Sequence, residues 1–218
     1  MKNVIAIDGP SGSGKTTIAR LIAKELGFHY LDTGSLYRAT ALILIDSGIT
    51  PQDSDNKLSS ILNKNKITFI NGKVFLNGED VSDDIRSAEI DHYSSVFSAR
   101  SIVRDFLLTV QRHAALNSEL VAEGRDTTTV VFPKAKKKIY LDASLEERAK
   151  RRALQLLEKG VNISIEESKK NIIDRDARDM NRDIAPLKIA SDALFVDSSN
   201  LSIEQVKEKI LDFVRTDP

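Results

Sequence analysis

Residues 4–26 constrain the fold more than any other stretch of the chain. Val4-Ile5-Ala6-Ile7 is a short apolar run. Asp8-Gly9-Pro10-Ser11-Gly12-Ser13-Gly14-Lys15-Thr16 follows at once, and Ile18, Leu21, Ile22 and Leu26 then recur at helical spacing. The order is strand, glycine-rich turn, helix. Within it, Gly9-x-x-x-x-Gly14-Lys15-Thr16 matches a phosphate-binding loop. Glycines let backbone N–H groups close on phosphate oxygens, and the N-terminus of the next helix aims partial positive charge at the same place. Lys15 can reach the β- and γ-phosphates, and the Thr16 hydroxyl can serve Mg²⁺. The nucleotide site predicted here comprises Gly9, Pro10, Ser11, Gly12, Ser13, Gly14, Lys15, Thr16 and Thr17. An accidental glycine-rich turn is the bland alternative, and the flanking strand and helix argue against it.

The 218 residues are 41% hydrophobic and 29% charged, which suits one good-sized core or a core with inserted subdomains. Formal net charge is zero, so no global field points to nucleic acid or membrane, and neither is expected as a partner. The sequence has no cysteine, which removes disulfides, thiolate metal sites and thiol nucleophiles. The first apolar run is too short for a signal peptide, and no stretch approaches the length of a membrane span. A cytoplasmic location is the expectation.

Gly27 reads as a helix C-cap, Phe28–Leu31 as a buried strand, and a helix runs from near Ser35 to Asp46, ended by Gly48. The β-α-β-α alternation predicts α/β architecture, a parallel sheet with helices on both faces. The alternation then breaks. Residues 54–64 read as a helix, and Ile67–Ile70 and Lys73–Leu76 flank Asn71-Gly72, a two-residue hairpin signal. Asn77-Gly78 marks another turn, so a small antiparallel sheet of two or three strands is expected. Helices follow near 86–98 and 100–117. Strands return at 120–123, 138–142 and 193–197, giving five core strands. A helix begins after Ser144 and is broken by Gly160. Another runs from Ser164 to Asn181, and Ser202 caps a terminal helix with Ile203, Val206, Ile210 and Phe213 on one face. The predicted division is a core of 1–49, 101–145 and 183–218, an α+β insert of 50–100 and a helical lid of 146–182.

Three polar clusters carry chemistry. Thr33-Gly34-x-x-Tyr37-Arg38 follows the second strand, on the side where a doubly wound sheet opens its crevice. A helix-surface Arg38 is the bland alternative. Glu123-Gly124-Arg125-Asp126 follows a buried strand. A carboxylate there commonly orders Mg²⁺ or its waters, and Arg125 is placed for a phosphate. In the third cluster, Arg175, Arg178 and Arg182 fall at i, i+3 and i+7, one face of a helix. A solvated helix with Asp174–Arg178 and Arg175–Asp179 pairs is the alternative. Arginine suits bidentate phosphate contacts, and with Arg148, Arg151 and Arg152 on the partner helix the pattern reads as a lid supplying cations to a transferring phosphoryl group. No nucleophile or general base stands out, which fits phosphoryl transfer.

Ile7–Lys15, Leu31–Arg38, Gly124-Arg125-Asp126 with Thr129–Pro133, Leu141–Ser144 and Ala185-Pro186-Leu187 together resemble the bacterial cytidylate kinases, a family of P-loop nucleoside monophosphate kinases. The resemblance runs from about residue 3 to 214. It implies a three-layer α/β/α kinase fold with a five-stranded parallel sheet, a nucleotide-binding insert and a lid. It implies ATP and Mg²⁺, transfer of the γ-phosphoryl group to CMP or dCMP, and a monomer. It implies that Arg38, Arg125 and Arg182 gather on the acceptor phosphate with Thr33 nearby, that Arg175 and Asp179 touch the sugar, and that Ser95, Arg104 and Asp126 meet the cytosine. Arg151 and Arg152 join the ATP site, and Lys15, Arg125, Arg178 and Arg182 stabilise charge on the transferring group. Thr16 and, through water, Glu123 serve the metal. Two departures stand out. Glu123 replaces a frequent Asp, and Thr127-Thr128 replaces an apolar-Gly pair, which would strain Thr128 if that glycine has φ above zero. A P-loop kinase with another small acceptor, or a nucleotide-dependent switch, are the competing readings.

Overall fold

The computed structural model describes residues 3–70, 72–116, 118–158 and 160–216. The chain opens with β1 (Val4–Asp8), α1 (Lys15–Leu26), β2 (His29–Asp32) and α2 (Thr33–Asp46). Next come α3 (Asp55–Leu62), β3 (Ile67–Ile70), β4 (Lys73–Leu76), β5 (Glu79–Asp80) and α4 (Ala88–Phe97). α5 (Ser101–Ala114), β6 (Leu120–Gly124) and β7 (Lys137–Asp142) follow. The chain ends with α6 (Leu145–Leu157), α7 (Ile165–Asn181), β8 (Leu194–Asp197) and α8 (Ile203–Arg215).

β1 is buried along its whole length, as an apolar run in the middle of a parallel sheet must be. The five-stranded sheet has the order β2-β6-β1-β7-β8, and every pairing in it is parallel. The β1-to-β2 connection leads to one side of β1 and the β6-to-β7 connection to the other. The crevice at the C-terminal ends of β1 and β6 is therefore the topological switch point, where such sheets bind ligands.

Each face of the sheet carries its own hydrophobic cluster. On one, Ile5, Ile7, Val121, Ile139, Leu141 and Val196 pack against Ile18 and Ile22 of α1 and Ile210 and Leu211 of α8. On the other, Leu120 and Ala122 belong with Leu36 and Leu44 of α2 and Val103 and Leu107 of α5. That second cluster continues without a break into Leu58, Val74, Ile85, Ile90 and Phe97. The segment between α2 and α5 thus has no core separate from the sheet. It holds an antiparallel sheet in the order β3-β4-β5. The register Ile70↔Lys73 leaves a two-residue connection, in which Gly72 has φ 81° and Asn71 lies outside the described residues.

Some boundaries differ from the sequence expectation. β2 is an edge strand and begins on an exposed His29, so it is buried only at its C-terminal half. α2 starts at Thr33 because the Asp32 side chain caps it, accepting from Ser35 N–H at 3.0 Å. A short 3₁₀ turn over Asp84–Arg86 precedes α4, and α5 ends at Ala114, with Asn117 outside the described residues. Ile203 is exposed at the start of α8, and Leu211 is buried in its stead. α7 ends at Asn181 as expected, but Arg182 lies just beyond it and is extended at φ −67°, ψ 143°. The helical face at i, i+3 and i+7 therefore holds only for Arg175 and Arg178. Neither expected pair, Asp174–Arg178 or Arg175–Asp179, closes as an ion pair among the described residues. Their partners are taken elsewhere: Arg178 donates to Ser95 and Asp179 accepts from Arg125.

Candidate active site

The phosphate loop curls between β1 and α1. A Cβ on Gly9 would fall on the Leu141 carbonyl oxygen, so β7 can lie this close only beside a glycine. Lys15 is buried beneath the loop, and its Nζ donates to the Pro10 carbonyl at 2.6 Å and to Ser13 Oγ at 3.3 Å. Burial, and after it the charge of Arg125, lower the Lys15 pKa. Thr16 Oγ1 donates to Glu123 Oε1 at 2.5 Å, and the Tyr30 hydroxyl donates to the same oxygen at 3.2 Å. Burial first and Asp32 next raise the Glu123 pKa. The hydroxyl and carboxylate expected at a metal are thus neighbours, and both are hard oxygen donors suited to Mg²⁺. No group of three or more acidic, His or Cys side chains gathers to hold a metal among the described residues. Two protein oxygens match an ion that takes its remaining ligands from water and phosphate.

A cleft of about 730 Å³ opens in front of the loop. It is lined by Ser11, Gly12, Ser13, Gly14, Lys15, Thr16 and Thr17, and by Thr33, Arg38, Ser95, Arg125, Asp126, Arg151, Arg152, Arg175, Asp179 and Arg182. Most of the residues singled out in the sequence therefore share one cavity. Gly9, Pro10, Arg104 and Arg178 are not among its lining residues. Arg104 forms a buried ion pair with Asp126 behind the cleft wall and donates to the Ser98 carbonyl at 3.2 Å.

Opposite the loop, arginines and carboxylates alternate. Arg38 Nε donates to Asp91 Oδ1 at 2.7 Å, and Arg152 Nη2 donates to Asp91 Oδ2 at 2.8 Å. Arg175 Nη1 lies 3.9 Å from the same carboxylate. Burial pushes the Asp91 carboxyl up, but Arg38, then Arg175 and Arg152, outweigh it and hold Asp91 well below the usual carboxylate range. Arg125 Nε donates to Asp179 Oδ2 at 2.9 Å. Arg182 lies 3.7 Å from Asp179 and 3.5 Å from Asp126, and its Nε donates to the Ala185 carbonyl at 2.7 Å. With a side chain only 6% exposed, Arg182 belongs to the cleft wall and not to an exposed helix. Burial, then Arg125, lower the Arg175 pKa to about 10. Arg38 Nη1 and Arg175 Nε are both buried with no hydrogen-bond partner. Buried N–H donors are rarely left unpaired, and an anionic oxygen in the cleft would satisfy them.

Arg178 does not line the cleft, but its Nε donates to Ser95 Oγ, which does, at 3.0 Å. Thr33 Oγ1 donates to the Glu123 carbonyl at 2.8 Å, which joins the start of α2 to the end of β6. Arg151 donates to the Ser198 carbonyl at 2.8 Å and to the Ser13 carbonyl at 3.5 Å, and the second contact places α6 beside the phosphate loop. The strain expected at Thr128 is absent. Asn77 and Ala185 are the only non-glycine residues of positive φ among those described.

Two participants escaped the sequence reading. Asp91 collects Arg38 and Arg152. Asp176 accepts the Ser11 N–H at 2.9 Å and pairs with Arg148, whose Nη1 also donates to the Ser11 carbonyl at 3.0 Å. These contacts tie α6 and α7 to the phosphate loop. A signal for Asp176 existed, since Ile172, Asp176 and Asp179 are spaced along the buried face of α7 at i, i+4 and i+7.

The cytidylate kinase family model matches residues 5–216. A cytidylate kinase of Thermodesulfovibrio yellowstonii is 50% identical over 225 residues, covering 100% of both chains. A cytidylate kinase of Thermosipho melanesiensis is 50% identical over 211 residues, covering 97% of this chain and 96% of its own. Among solved structures, an uncharacterized protein from Eubacterium ventriosum superposes with a TM-score of 0.58 at 10% identity, covering 99% of this chain and 100% of the other. That likeness concerns the fold alone.

Proposed function

The chain belongs to the cytidylate kinase family, and from that premise we propose that it transfers the γ-phosphoryl group of ATP to CMP or dCMP, giving ADP and CDP or dCDP. The observation that carries the reading is the pair of buried arginine donors without a hydrogen bond, Arg38 Nη1 and Arg175 Nε, in the same cleft as the phosphate loop. One cleft thus offers two anion sites, which a donor and an acceptor nucleotide both require.

Gly9–Thr17 with Arg151 and Arg152 hold ATP in this reading. Thr33, Arg38, Arg125 and Arg182 take the acceptor phosphate, Arg175 and Asp179 the sugar, and Ser95 and Asp126 the base, which Arg104 meets only by turning into the cleft from behind Asp126. Mg²⁺ neutralises phosphate charge when bound, and Thr16 and Glu123 are the residues that would hold it, the latter through water. Lys15, Arg125 and Arg182 stabilise charge on the transferring group. Arg178 joins them only by leaving Ser95. Residues 50–100 close over the acceptor and 146–182 over ATP, excluding the water that would hydrolyse it. A cytoplasmic monomer completes the proposal; among the described residues no helix is long and apolar enough to cross a membrane.

The test is ADP release in a coupled assay with ATP and Mg²⁺ and a panel of CMP, dCMP, UMP, AMP, GMP and no acceptor. Fast release with CMP and dCMP is the expected result. Release with a different monophosphate would overturn the base site, and release indifferent to any acceptor would overturn the kinase.

A further inference from the structure

Asp8 is the last residue of β1, fully shielded from solvent, and no role in the reaction has been given to it. Its carboxylate is saturated by two consecutive threonines. Oδ1 accepts from Thr127 N at 2.9 Å and from Thr127 Oγ1 at 2.6 Å. Oδ2 accepts from Thr128 N at 2.7 Å and from Thr128 Oγ1 at 2.6 Å. Each oxygen therefore takes one amide and one hydroxyl. Burial raises the Asp8 pKa, the threonine bonds oppose the rise, and the charge of Asp126 adds to it.

The two threonines open a turn of π-helix over Thr127–Val131, in which Val131 N reaches the Asp126 carbonyl at 3.0 Å and Phe132 N reaches that of Thr127 at 2.8 Å. Such turns are rare and concentrate at functional sites. Here the wide turn puts two successive N–H groups and both hydroxyls on one carboxylate. The residues on either side of this junction belong to the cleft machinery. Gly9 follows Asp8 and begins the phosphate loop. Asp126 precedes Thr127 and is held by Arg104 and Arg182, and Arg125 comes just before it.

We propose that Asp8, gripped by the Thr127 and Thr128 hydroxyls, is a positioning residue that sets the separation between the phosphate loop and the Arg125–Asp126 segment. It thereby fixes the approach of the γ-phosphoryl group to the acceptor. The proposal rests on the reading above for placing the acceptor at Arg125 and Asp126. Asp8 touches neither substrate. In-line transfer depends steeply on the distance between reacting atoms, and a misplacement of about 1 Å can cost about 100-fold in rate. A loosened junction should leave each nucleotide able to bind its own half of the cleft while the two halves lose register. The hydroxyl half of the grip comes from the Thr127 and Thr128 side chains alone.

The experiment compares wild type with Thr127→Val/Thr128→Val, which removes both hydroxyls at near-constant volume and keeps both amide donors. Thr127→Ser/Thr128→Ser returns the hydroxyls. The expected result is a fall in kcat for CMP phosphorylation of about tenfold or more in the valine variant. The Kd of ATP alone and of CMP alone, measured by titration calorimetry, should stay within about threefold, a change of under 1 kcal/mol. The serine variant should recover kcat. A kcat unchanged in a folded valine variant would overturn the proposal. So would a loss shared equally by the serine variant, or weakening of both Kd values in step with Tm. If the double valine variant does not fold, Thr128→Val alone is assayed against Thr128→Ser with the same criteria. A wild type without CMP-dependent turnover overturns the acceptor reading and this inference with it, whereas a competent wild type with indifferent variants overturns this inference alone.

Discussion

Asp91 accepts from Arg38 Nε at 2.7 Å, while Nη1 of the same guanidinium is buried without a hydrogen bond, 3.8 Å from Asp32 Oδ2. The carboxylate therefore aims Arg38 without using its whole donor fork. Asp91→Ala should release that aim and raise the KM for CMP by about tenfold, equivalent to 1.4 kcal/mol of acceptor binding. The coupled ADP-release assay reads it directly. A KM for CMP equal to that of wild type would mean that Asp91 orients nothing the acceptor uses.

Asp91 also makes stability depend on pH. Its folded pKa is depressed below the unfolded value, so its contribution is complete above the unfolded pKa, about 4, and is lost as pH falls through the lower folded value. Asp91→Asn should cost about 2–3 kcal/mol at pH 7, as loss of hydrogen bonds to charged partners does. The Tm gap between this variant and wild type should be constant from pH 7 to about 5 and narrow below about 4. A gap that widens on acidification would reverse the sign assigned to the pair.

Arg182→Ala acts on two carboxylates at once. Because Arg182 faces both Asp126 and Asp179 from a buried position, its removal should lower Tm as well as activity. We expect kcat to drop by about 100–1000-fold, the scale of losing one transition-state donor. The fold should lose about 1–3 kcal/mol from buried acceptors left unpaired. Stopped turnover in a variant of unchanged Tm would place Arg182 on the reacting phosphate with no structural share.

Lys15→Ala should be more one-sided. Lys15 Nζ bonds only to the loop it lies under, through Pro10 and Ser13. The expected loss in kcat is about 100-fold or more, with Tm little changed. Near-normal kcat would remove the phosphate loop from the mechanism.

What the sequence made legible was local. Gly9, Gly14, Lys15 and Thr16 sit within eight positions, so their meeting at one anion site needs only a strand and a helix to flank them. Asn77-Gly78 carried its own turn, since both residues take positive φ there. Asp91 could not be seen this way. In sequence it is one of two acids in the first turn of α4, and Arg152 reaches it from 61 residues further on. Arg182 was misplaced although the helix end at Asn181 was legible: one residue beyond that end, it was still counted on the helical face at i+7, and its extended backbone turns it to Asp126 and Asp179. Thr127-Thr128 looked like a liability because its partner Asp8 is 119 and 120 residues away.

The hydrophobic cluster that runs from Leu120 through Leu36 to Val74 and Phe97 constrains how the molecule can move. A hinge swings one body about a thin neck. Here the neck is as thick as the core, and opening it would expose those side chains to water. Motion of α4 toward the phosphate loop must instead be shear, with helices sliding about 1–2 Å over one another while their contacts persist. The same continuity makes the insert melt with the sheet, and calorimetry should record one cooperative transition with no separate early peak for residues 50–100.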